Sequence, residues 1–172
     1  LAAEHQHRTL STGEVVTVAS WFASAADAAR AASAVTAAGI QPSIMELVDA
    51  RSLVAIHDLL ELPAPPAGAA HLLVQTDGPA SRVEAEAVVA VLEGVGGAVE
   101  IADDPAQAAT LLRVRRSMHP AMERLGTTLI EDVSVPRSAM PAMFDEIARI
   151  EDEYALTIPN VFHAGDGNLH PN

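Results

Sequence analysis

The richest stretch for chemistry is near the C-terminal end, His163-Ala-Gly-Asp-Gly-Asn-Leu-His170. Asp-Gly is a strong short-range hairpin signal, because a type I′ turn needs positive φ at both central residues. A two-residue turn centred on Asp166-Gly167 would set His163 opposite His170, with Cβ atoms about 4.5–5.5 Å apart on one face. Two imidazoles so placed could ligate one divalent metal such as zinc. The plainer reading is a glycine-rich turn flanked by two surface histidines. Asp166 reads as a turn former rather than a ligand. A metal would need further ligands, and the two residues after His170 are Pro171 and Asn172. The two histidines alone would make an incomplete site.

The second constellation is Arg113, Arg115 and Arg116, three of the ten basic residues in a chain of net charge −13. At 100° per residue, Ala108, Leu111, Leu112, Arg115, His119 and Met122 fall on one helical stripe, and Arg113 lies nearly opposite. Arg115 therefore sits on the face that should pack inward. A buried guanidinium must be paired, and its planar fork suits a carboxylate. That carboxylate is either an internal Asp or Glu or a substrate's. His119 shares the stripe, but Pro120 disturbs its placement.

Other candidates are weaker. His5-Gln6-His7 belongs to a segment without apolar period, so residues 1–12 read as a loose arm. Gly94-Val-Gly-Gly97 follows a helix and precedes a strand, the reverse of a dinucleotide fingerprint. His57 and His71 lie in apolar surroundings and read as structural. Glu46 is an odd charge within Ser-Ile-Met-Glu-Leu-Val-Asp, explicable by an edge position or a salt bridge. There is no G-x-S-x-G elbow and no phosphate-binding loop of the G-x-x-x-x-G-K type. All ten basic residues are arginine, so no lysine is present to form a Schiff base. The absence of cysteine excludes disulfides, thiolate metal sites and a cysteine nucleophile.

These residues need elements to position them. Val15–Ala19, Pro42–Val48, His71–Thr76 and Ala98–Ile101 read as strands. Helices are expected over 24–38 and 81–93, each opened by a capping box, Ser24/Asp27 and Ser81/Glu84. Residues 63–69 are Pro-rich and read as a surface loop. The order β-α-β-β-α-β is the ferredoxin-like arrangement, an antiparallel sheet with both helices on one face. A partial C-terminal α/β extension follows. In it, a helix starts at Asp104-Pro105 and is kinked or ended by Pro120. A β-rich run over 127–135, a helix from Ser138 and a strand over 158–163 complete it. With 172 residues and 49% hydrophobic composition, one domain over 13–172 with a packed core is expected. The acidic balance argues against nucleic-acid and anionic-membrane binding. No uncharged apolar run reaches the roughly 18 residues of a membrane helix. No signal peptide is visible, and a cytoplasmic location fits.

The run Val161-Phe-His-Ala-Gly-Asp-Gly-Asn-Leu-His-Pro-Asn172 resembles the signature of the FAD-linked oxidase C-terminal (cap) domain of vanillyl-alcohol-oxidase-type flavoproteins. The branch it most resembles oxidises 2-hydroxy acids of the glycolate, D-lactate and D-2-hydroxyglutarate type. Ser43-Ile-Met-Glu-Leu-Val-Asp49 is similar to a strand of that domain. Leu112-Arg-Val-Arg-Arg116 is similar to its arginine helix, with Leu112 where the family has Trp. Glu131-Asp-Val-Ser-Val-Pro-Arg137 is similar to a strand exit. The likeness runs over roughly residues 14–172.

The resemblance implies FAD held by a separate N-terminal domain, with the C-terminal domain forming the substrate site. It implies that Arg115 grips a substrate carboxylate, that Asn172 contacts substrate, and that His163 and His170 bind a divalent metal. His119 falls where that branch has a substrate-contacting Thr, and Ile130 where it has a Lys, so the substrate is expected to differ. The third metal ligand, a Glu, and a neighbouring His proposed as base would lie beyond Asn172. The chain itself is thus expected to bind no FAD and to be inactive alone. The competing reading is a non-catalytic ferredoxin-like module that binds a small acid or pairs edge-to-edge with itself as a homodimer.

Overall fold

The computed structural model describes residues 14–102 and 104–172; the arm expected over 1–12, with its His5 and His7, lies outside them. The elements are β1 (Val16–Phe22), α1 (Ala25–Ala37), β2 (Ile44–Val48), α2 (Ala50–Leu59), β3 (Ala70–Thr76), α3 (Ser81–Gly94) and β4 (Ala98–Ile101). There follow α4 (Pro105–Arg116), α5 (Met118–Leu125), β5 (Val133–Ser134), a 3-10 turn (Arg137–Ala139), α6 (Met140–Tyr154), β6 (Asn160–His163) and β7 (Asn168–Pro171). The strands form one seven-stranded antiparallel sheet in the order β4-β1-β3-β2-β6-β7-β5.

Side chains alternate across this sheet, and both faces are covered. Val16, Val18, Met45, Leu47, Leu72, Val74, Phe162 and Leu169 pack beneath α1, α3 and α6. Val48 and Val161, from the opposite alternation, pack with α2 and α5 through Leu53, Ile56, Met118 and Met122. Burial on both faces explains why every residue of β3 is buried. The core is built mainly from Ala, Val, Leu and Ile with few rings, among them Phe144 stacked on Phe162 at 4.4 Å.

Several expectations need correction. The α1 capping box forms, with Ser24 Oγ accepting from the Asp27 amide at 3.1 Å. The one expected at Ser81 does not: the cap position is Ala80, without a side-chain cap bond, and Ser81 is buried. Helix α2 was not anticipated. Asp49 ends β2 and caps α2 at once, accepting from the Ser52 amide at 2.8 Å, so no turn residues separate strand from helix. The helix break falls at Ser117, and Pro120 sits in the first turn of α5, where its missing N–H is no loss. The β-rich run over 127–135 gives only the two-residue β5. No residue of α4 is buried; its apolar stripe covers the sheet loosely rather than entering the core.

Two buried titratable groups set opposing pH dependences. His71, on the inner strand β3, lies 4.7 Å from the Trp21 ring. Burial, reinforced by nearby His57, lowers its pKa from 6.5 to about 4. Folded His71 thus stays neutral where the unfolded chain protonates it, so its share of stability is present above pH 6.5 and lost as pH falls toward 4. Asp49 is raised by burial from 3.8 to about 6, against its hydrogen bonds to Ser52 and Asn160. Its share is present below pH 3.8 and lost as pH rises through 6. Each amounts to about 3 kcal/mol. Asp49→Asn keeps a capping oxygen and removes one of the two. Denaturation from pH 7 to 4 should show the variant's advantage over the parent shrinking by about that amount. A pH-independent difference would contradict it.

Candidate functional site

The chemistry-bearing residues gather on the α4–α5 side of the sheet, at β2, β6 and β7. Glu46 shares the face of Val48 on β2, an inner strand between β3 and β6, not the edge its charge suggested. His163 on β6 is paired in register with Glu46. Arg115 reaches in from the last turn of α4, where basic side chains complement the helix dipole. Glu46 Oε1 accepts from Arg115 Nη2 at 3.0 Å and lies 2.8 Å from His163 Nδ1. The Glu46 side chain is 9% exposed, that of Arg115 35%. Of the two partners left open for Arg115, an internal carboxylate is thus present. Glu46 Oε2 is buried without a partner.

The 163–170 segment forms a hairpin, but in a register two residues from the expected one. His163 pairs with Asn168 and His170 with Val161, so residues 164–167 make the connection. A shift of two preserves the face. The imidazoles remain side by side, centroids 5.2 Å apart and edge to face. Asp166 acts as a turn former, its Oδ1 accepting from the Asn168 amide at 3.0 Å. The C-terminal strand is not frayed: β7 pairs with β6 on one side and β5 on the other. Gly167 has φ +86°, and a Cβ there would lie 2.3 Å from the Val135 carbonyl oxygen. Gly167→Ala should therefore cost roughly 2 kcal/mol or more. It should also open the Val135 N–H to Gly167 carbonyl bond, read as a lower melting temperature and faster exchange of the Val135 amide. An unchanged melting temperature would contradict the turn geometry.

Arg115, His119, His163 and His170 line one cleft of about 470 Å³ with Arg116 and Asp132; its apolar wall is Met118, Ile130 and Val161. His119 is in the first turn of α5. Asn172 is not in this cleft. It lines a neighbouring depression with Met122 and Leu125, and its Nδ2 donates to the Pro159 and His170 carbonyls at 3.3 and 2.6 Å. The sequence reading missed Glu46 as the common partner of Arg115 and His163; the signal was its charge amid apolar neighbours.

Two imidazoles fill half of a tetrahedral zinc set. Among the described residues, no group of three or more His, Asp or Glu could hold a metal ion, so these residues do not by themselves make a metal centre. Nor do the described residues contain a glycine-rich strand-to-helix loop for a dinucleotide. The β3–α3 connection has one glycine, Gly78. No described helix is long and apolar enough to cross a membrane.

The chain belongs to the family of FAD-linked oxidases, C-terminal domain, with residues 12–172 matching, and that family implies FAD. Its sequence is 38% identical over 148 residues to glycolate oxidase subunit GlcD of Bacillus subtilis (strain 168), covering 84% of this chain and 32% of that protein. It is 35% identical over 154 residues to glycolate oxidase subunit GlcD of Escherichia coli (strain K12), covering 87% and 31%. The chain therefore spans about a third of the length of these curated relatives. Among solved structures, an alkyldihydroxyacetonephosphate synthase superposes with TM-score 0.66 at 11% identity, covering 93% of this chain and 36% of that one. The 4-ethylphenol oxidase from Gulosibacter chungangensis, in its isoeugenol complex, gives 0.57 at 12%, covering 94% and 39%. At these identities the likeness is one of fold.

Proposed function

We propose that this chain is the substrate-binding part of an FAD-dependent oxidoreductase that oxidises a small D-2-hydroxy acid of the glycolate, lactate or 2-hydroxyglutarate type. The observation that carries the reading is the meeting of Arg115 with His163 and His170 in one cleft. When bound, the flavin supplies the hydride acceptor. The residues of this chain bind and orient. One nitrogen of Arg115 is committed to Glu46, and the rest of the planar guanidinium is available to a substrate carboxylate in a charge-assisted pair. The imidazoles of His163 and His170 line the same cleft. Met118, Ile130 and Val161 keep one wall of the cleft apolar. The β4-β1-β3-β2 half of the antiparallel sheet is the frame that supports β2.

The test is turnover of the complete gene product on a panel of D-2-hydroxy acids with an artificial electron acceptor. Reduction of the acceptor with at least one short hydroxy acid is expected; reduction with none would overturn the reading. No step is assigned to a metal. With two imidazoles and no third ligand among the described residues, this chain should take up zinc only weakly, and His163→Ala should abolish what uptake there is. Tight stoichiometric binding in a zinc titration would contradict this.

A further inference from the structure

We infer that Glu46 is the positioning residue of the cleft: its single Oε1 orders Arg115 and His163 together, fixing which nitrogen of each faces a ligand. The inference rests on the proposed substrate reading for its consequence, but not for its geometry. Arg115 is a cation that can only donate, and it donates to Oε1 at 3.0 Å. The His163 Nδ1 contact of 2.8 Å is to the same oxygen. An oxygen already accepting from a guanidinium is an acceptor for its second neighbour too, so the proton of that contact is on Nδ1. His163 is then held as the Nδ1–H tautomer, with Nε2 bare. A carboxylate on one ring nitrogen is the arrangement by which proteins fix an imidazole's tautomer and ring orientation.

The setting argues that this is more than packing. Glu46 is 7% exposed on an inner strand among Met45, Leu47 and Val48. A buried ion pair is a poor stabiliser, and an apolar residue of similar volume commonly does as well or better. Its Oε2 is buried and unpartnered, an arrangement that costs stability. The position thus carries a cost that a leucine would not, and what it gives in return is the joint orientation of two cleft groups from different elements, α4 and β6.

The experiment uses this chain labelled with ¹⁵N, at one neutral pH. Long-range imidazole spectra should show His163 of the parent protonated at Nδ1. In Glu46→Leu, which leaves Nδ1 without its acceptor, that signature should be lost. Glycolate, titrated into both, should bind the variant more weakly, by about 10-fold or more, since the charge-assisted bond that orders Arg115 is lost, while amide shifts of α1 and α3 stay unchanged. A parent His163 protonated at Nε2 would overturn the inference, and that arm needs no variant to fold. So would an unaltered tautomer and glycolate affinity in Glu46→Leu. If the parent binds no glycolate, the substrate reading fails, while the tautomer arm still decides the role of Glu46.

Discussion

Phe162→Ala is expected to destabilise the protein by about 3–5 kcal/mol, the range for removing a buried aromatic ring. Phe162 has no exposed surface. Its ring stacks on Phe144 of α6 with 19° between planes, and its backbone is paired with Leu47 on one side and Leu169 on the other. Both neighbours are fully buried, so the space left by the ring has little room to collapse. At this chain length the loss should lower the melting temperature by roughly 10 °C or more. Val83→Ala, at a side chain 69% exposed, should change stability by no more than about 0.5 kcal/mol. Equal effects from the two would mean that β6 does not join the sheet as described. Because β6 also carries His163, the Phe162 variant should lose cleft binding together with stability.

The second large effect is on function. Arg115→Met in the complete gene product should lower kcat/KM for glycolate by about 100-fold or more, since charge-assisted hydrogen bonds contribute roughly 1.5–3 kcal/mol each. Lys should restore little, because a point charge does not reproduce a planar, two-pronged grip. The variant also leaves the Glu46 carboxylate, only 9% exposed, without its cation, so some destabilisation is expected beside the kinetic loss and is read separately by denaturation. Arg113→Met removes the same charge from the exposed side of α4 and should leave kinetics near the parent's. Similar losses in both variants would assign the effect to net charge rather than to the cleft.

The parts legible in the sequence were those with local signals. Ser24 and Asp27 marked α1 because a capping box is a contact between residues three apart. Short apolar runs placed β1 to β4, and Asp-Gly placed the last hairpin. The face shared by His163 and His170 came through because a register error of two residues leaves parity intact. What failed depended on distant partners. The break at Ser117 was not legible because Pro120 looked like the interruption, yet a first-turn proline fits a new helix. Helix α2 was hidden because Asp49 both closes a strand and opens a helix. The pairing of Glu46 with Arg115 spans 69 positions, and that with His163 spans 117; no window along the chain contains it. Asn172 was placed with the substrate residues on resemblance, and the structure sets it in a separate depression, tied to backbone carbonyls.

The proposed role of the Arg115 cleft is to receive a small 2-hydroxy carboxylate. It is tested most directly by titrating ¹⁵N-labelled chain with glycolate and following the Arg115 Nε–H and the imidazoles of His119, His163 and His170. Saturable shifts confined to these groups and their neighbours on β6, β7 and α5, abolished by Arg115→Met, are expected. Saturable shifts elsewhere, or shifts here that survive Arg115→Met, would contradict it.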